Sequence, residues 1–105
     1  MEKFNEIISG NQITLVDFFA TWCGPCKMMH PVLEQLKDDL GDSIRILKID
    51  VDKNESLSET YRIQSVPTLM LFKEGKQLWR QSGAMRVQEL KDLIAKYQWW
   101  IFSNS

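Results

Sequence analysis

Cysteine and histidine are scarce in this sequence, with two of the first and one of the second among 105 residues. Two cysteines are too few for a disulfide scaffold, and with His30 as the one histidine a zinc ion would lack its four ligands within a single chain. No metal and no organic cofactor are therefore expected. An excess of charge is also missing: 13 lysines and arginines stand against 14 aspartates and glutamates, for a net charge of −1. That balance argues against a nucleic acid or an anionic membrane held by charge. No apolar run approaches the roughly 18 residues of a spanning helix. No basic-then-apolar leader opens the chain, so the expected location is the cytoplasm. Linkers, repeats and low-complexity stretches are absent, and the length suits one domain with its own core.

What is present is an alternation of short helical and strand patterns. Phe4, Ile7 and Ile8 fall at helical spacing before the stop at Gly10-Asn11. Residues Ile13 to Ala20 are apolar on both faces, as in a central strand covered by helices on either side, and Asp17 interrupts them. Cys26, Met29, Leu33, Leu36 and Leu40 step by three and four, the buried stripe of a long helix that ends at Gly41. Pro31 inside it is expected to kink it, and His30, off the stripe, to lie at the surface. Ile44 to Val51 reads as a second strand, with Lys48 as an anomaly to match Asp17. Ser56 and Glu59 fit a capping box opening a short helix. Thr68 to Lys73 and Gln77 to Ser82 form a hairpin around Glu74-Gly75, and Val87 to Tyr97 a last amphipathic helix. The order predicts an α/β sandwich with a mixed sheet, since crossover helices require parallel neighbours and the hairpin adds antiparallel ones.

The chemistry lies in Phe18 to Cys26, read FFATWCGPC, where a strand turns into a helix. Two thiols at this spacing can close a disulfide across one turn, and the unsatisfied N–H groups of a helix start favour a thiolate. Cys23, on the loop side, is expected to be the exposed nucleophile and Cys26 to be shielded. A structural bridge over so few residues would restrict the unfolded chain by only about 2 kcal/mol. Redox chemistry is the better use of the pair. Asp17 is costly to bury in a central strand, so it reads either as a strand-end residue reaching water or as a proton acceptor beneath the helix. Val66-Pro67 reads as the start of an edge strand or as a cis bond.

Four elements in order, VDF at Val16 to Phe18, WCGPCK at Trp22 to Lys27, VPT at Val66 to Thr68 and the glycine Gly83, resemble the thioredoxin family, with Pro67 standing 41 residues after Cys26. The resemblance runs from Phe4 to Tyr97. It implies a thioredoxin fold and a dithiol–disulfide oxidoreductase in which Cys23 attacks, Cys26 resolves, Asp17 is the buried acid and base with Lys48 as its neighbour, and Pro67 is a cis proline. Trp22, Gly24, Pro25, Val66, Gly83 and Ala84 would line the substrate groove with it. Disulfide-bearing proteins and a thioredoxin reductase are the implied partners. A binding module using the same groove and an oxidase or isomerase are the competing readings, and the intact cysteines speak against the first.

The sequence departs from the family in three places. No strand precedes the first helix, Phe19 stands where tryptophan is frequent, and a tail of Trp99-Trp100-Ile101-Phe102 is added. Residues 1–97 are thus expected to form the domain and 98–105 an apolar tail packed on it. A monomer is expected, with the tail or the uncovered strand Ile44 to Val51 as the routes to self-association.

Overall fold

The computed structural model describes the backbone of residues 2–103 and the side chains of residues 2–99. Four helices, four strands and one short 3-10 turn follow in the order α1 (Glu2–Ile8), β1 (Ile13–Phe19), α2 (Gly24–Leu40), the turn Gly41–Ser43, β2 (Ile44–Asp50), α3 (Glu55–Thr60), β3 (Thr68–Lys73), β4 (Lys76–Ser82) and α4 (Val87–Ser103).

The sheet has the order β2-β1-β3-β4. β1 runs parallel to β2, joined through α2, and antiparallel to β3, while β3 and β4 form the antiparallel hairpin. Alternation along β1 sorts its side chains between two layers. Ile13 and Leu15 meet Met29, Leu33 and Leu36 of α2 and Leu90 and Ile94 of α4. Val16 and Phe18 meet Phe4 and Ile8 of α1 and Leu57 of α3. Six of the seven residues of β1 are buried, as a strand covered on both faces requires. β2 is an edge strand with two buried, three half-buried and two exposed residues, and among the described residues no strand precedes α1.

Several boundaries differ from the sequence reading. α3 is capped at Asn54, not Ser56, and no side-chain cap bond is made there. The Asn54 amide is engaged instead with the carbonyl of Asp50, which ties the helix start to the end of β2. α2 continues as one helix through Pro31. α4 does not stop at Tyr97 but runs to Ser103, because no glycine or proline interrupts the helical pattern. Residues 98–103 are therefore its last turns. Trp99 projects outward with 69% of its surface exposed, beside a cleft of about 500 Å³ that it shares with Gln77, Leu78, Lys96 and Tyr97. The surroundings of Trp100, Ile101 and Phe102 lie outside the described side chains.

Candidate active site

β1 ends at Phe19, and the chain needs four residues to turn into α2. Cys23 N–H donates to Ala20 O at 3.2 Å to close that turn. Cys23 is the N-cap of α2, in extended conformation, and its Sγ accepts from the Cys26 N–H at 3.2 Å, the place a serine or aspartate oxygen takes in an ordinary cap. Pro25, the second helical residue, has no N–H to leave unsatisfied, and Gly24 before it is exposed. The two cysteines are joined in a disulfide across this first turn, with Cα atoms 5.3 Å apart.

Cys23 is less open than its loop-side position suggested. Only 5% of its surface is accessible, against 0% for Cys26, because Ala20, Phe19, Val51 and Val66 pack around the pair. Cys23 is still the outer of the two. Its Sγ lies 3.6 Å from Val66 O, within reach for a thiol to donate once the disulfide is opened. The Val66–Pro67 bond is cis. Pro67 is buried, and its carbonyl accepts from the Gly83 N–H at 2.8 Å, which holds the Val66–Pro67 loop against the Gly83–Ala84 loop. Gly83 adopts φ 101°, a left-handed conformation that side chains disfavour. Gly83 and Ala84 are both exposed beside the cysteines' loop partner.

Trp22 is 70% exposed and is held by its indole N–H, which donates to Asp52 Oδ2 at 2.9 Å. No sequence pattern singles out Asp52. Thirty residues separate it from Trp22, and no spacing rule connects them. His30 is another difference: it is half-buried, its ring edge-on to Phe19 with centroids 5.6 Å apart. The Phe19 ring is the surface against which it packs.

Asp17 lies on the α2 side of β1, between Leu15 and Phe19 by alternation, and is fully buried. Neither of its oxygens has a hydrogen-bond partner among the described residues. Burial pushes its pKa up to about 6, and the charge of Lys48 holds it from rising further. The parallel register sets Asp17 beside Lys48, which emerges from the edge strand into water. The two anomalies of the strand patterns are thus neighbours, coupled through space without a direct ion pair.

Cys23, Cys26 and Val66 meet at one end of the sheet, with Trp22, Gly24 and Pro25 adjoining the cysteines in the chain and Pro67 bonded across to Gly83, next to Ala84. Asp17 and Lys48 stand one layer below. Such an arrangement can exchange a dithiol for a disulfide, and comparison with known proteins agrees. The Thioredoxin family model matches residues 1–96. Thioredoxin of Chlamydia trachomatis is 45% identical over 97 residues, which make up 92% of this chain and 93% of that protein. A mutant thioredoxin from Halobacterium salinarum superposes with a TM-score of 0.84 at 40% identity, covering 92% of this chain and 84% of the other. A structure described as the basis of thiol resolving in yeast mitochondrial 1-Cys peroxiredoxin via glutathione/thioredoxin systems superposes at 0.83 and 32% identity, covering 91% and 89%. No described helix is long and apolar enough to cross a membrane. With a cysteine pair capping its second helix and a match that spans nearly the whole chain, this protein belongs to the thioredoxin family and is a dithiol–disulfide oxidoreductase.

Proposed function

We propose that the protein reduces disulfides of other proteins, with Cys23 as attacking thiolate, Cys26 as resolving thiol and Asp17 as the group that takes the proton from Cys26. The observation that carries this is the cap geometry: Cys23 Sγ is the outer sulfur and accepts the Cys26 N–H, an interaction that favours a thiolate. The Cys23 thiolate attacks one sulfur of a substrate disulfide. That S–S bond breaks, one substrate thiolate leaves, and a mixed disulfide forms. Asp17, ionised at neutral pH with its pKa at about 6, accepts the Cys26 proton. Cys26 then attacks the Cys23 sulfur, releasing the second substrate thiolate and closing the Cys23–Cys26 disulfide. Two electrons have passed to the substrate, and an external dithiol enzyme, a thioredoxin reductase, must return them.

The substrate lies as an extended segment between Trp22, Gly24 and Pro25 on one side and Val66, Pro67, Gly83 and Ala84 on the other, and its backbone pairs with that of Val66. Lys48 tunes Asp17 from the edge strand. Residues 1–97 carry the activity, in the cytoplasm and as a monomer, with the end of α4 and the β2 edge as the surfaces for any self-association.

Mass spectrometry of variants tests the roles. Cys26→Ser is expected to stall as a mixed disulfide on Cys23 with a protein substrate such as insulin, and Cys23→Ser to lose reduction and trap nothing. An adduct on Cys26 of the Cys23→Ser variant would reverse the assignment.

A further inference from the structure

Met29 links the helix that begins at the cysteines to the loop that carries Gly83 and Ala84. It lies one turn after Cys26 on the same face of α2 and is fully buried. Its Sδ accepts the backbone N–H of Met85 at 3.3 Å, across 56 residues of sequence. Met85 is itself buried and sits between β4 and α4, outside any ladder that could use its N–H. A buried backbone N–H requires a partner, and here the partner is a thioether.

The loop is pinned at three points. Gly83 N–H donates to Pro67 O at 2.8 Å, Met85 N–H to Met29 Sδ, and Arg86 N–H to Glu89 Oε1 at 3.1 Å. The first ties it to the opposite loop and the third to α4. The second alone of these reaches α2. We propose that Met29 is a positioning residue for protein substrates: its sulfur fixes the Gly83–Ala84 wall relative to the cysteines. This rests on the reading of Gly83 and Ala84 as a wall of the substrate groove.

A leucine at position 29 fills nearly the same volume but offers no acceptor, so the core stays filled while the Met85 N–H loses its partner. The wall is then free to shift toward another acceptor. An extended protein substrate that touches both walls registers the shift, and a small disulfide that touches only the cysteines does not. The thiols themselves are unchanged.

The test compares Met29→Leu with the unaltered protein in steady-state reduction of insulin and of 5,5′-dithiobis(2-nitrobenzoate). KM for insulin is expected to rise about fivefold in Met29→Leu, the scale of one ordinary hydrogen bond, with kcat within about twofold. The small disulfide should be reduced at an unchanged rate. Met29→Gln returns an acceptor at the same reach and is expected to recover most of the insulin KM. Amide hydrogen exchange adds a measurement that does not depend on any variant folding: Met85 N–H is expected to be strongly protected in the unaltered protein. Exchange of that amide at the rate of an unstructured peptide would overturn the proposal, as would an unchanged insulin KM in Met29→Leu. A groove-blocking variant, Ala84→Glu, separates the two levels. If Ala84→Glu raises the insulin KM and Met29→Leu does not, the positioning role is wrong and the groove stands; if neither does, the groove reading has failed and the positioning role falls with it.

Discussion

On the α1 and α3 side of the sheet, Phe4, Phe18, Tyr61 and Phe72 meet at tilted and edge-to-face angles, with centroids 5.6 to 6.2 Å apart. On the α2 side, the same central strand points Asp17 into the interior with no hydrogen-bond partner among the described residues. The first arrangement is what stability alone selects, since aromatic pairs contribute packing and quadrupole attraction beyond their buried area. The second opposes stability, because a buried carboxylate loses its hydration. A one-residue shift in alternation separates the two, for Val16 and Phe18 face the aromatics while Asp17 faces α2. The difference teaches that both faces of this strand carry apolar core but that only the α2 face adds a buried carboxylate, so the carboxylate and the aromatic cluster can each be disturbed separately.

The largest disturbance should come from the aromatic side. Phe72 is 1% exposed and touches both Phe4 and Tyr61. Phe72→Ala is expected to lower unfolding free energy by about 3–5 kcal/mol, read from the urea midpoint, and to leave the reduction rate of the folded fraction unchanged. A comparable loss of rate would mean that the layers are not separable.

Asp17→Ala should have the opposite effect on stability and, unlike Phe72→Ala, should change the rate. With the folded pKa at about 6, above the unfolded value of about 3.9, the native state retains a proton that the unfolded chain has released. Stability therefore falls as pH rises from about 4 to about 6 and is level above that range. Removing the carboxyl removes this slope. Asp17→Ala is expected to be more stable by about 3 kcal/mol at pH 7 and no more stable at pH 4, with slower turnover at neutral pH. A pH-independent difference would sink the assignment of the slope to Asp17.

The smallest effect sharpens the comparison at the sheet edge. Because the Lys48 charge lowers the Asp17 pKa, Lys48→Met should raise it and move the stability slope to higher pH. Lys48 is exposed, so the shift should shrink as salt is added. An NMR titration of the Asp17 carboxyl that shows no displacement would rule out the coupling.

Much of this was legible in the sequence because it depended on short-range pattern. Alternation and helical spacing located all four strands and the long helices, and the CGPC segment with the distant VPT located the site. What escaped depended on contacts between residues far apart. The 5% exposure of Cys23 comes from Val51 and Val66 folding over it, and His30 is drawn inward by Phe19. The α3 cap moved to Asn54 because its amide answers the carbonyl of Asp50, a demand visible only once β2 ends where it does. The Asp52 bond to Trp22 and the Met85 bond to Met29 join positions that no periodicity relates.

The hairpin of β3 and β4 opens directly onto the cysteines. Thr68 pairs with Ser82 at its open end, and Pro67 and Gly83 are the next residue outward on each strand. Main-chain pairing therefore sets the spacing between the Val66–Pro67 and Gly83–Ala84 segments, and the Gly83–Pro67 hydrogen bond carries it one step beyond the ladder. In the groove proposed above, the side chains at positions 66 and 84 can therefore be exchanged to suit new clients while the main-chain spacing between them and the disulfide beside them stay as they are.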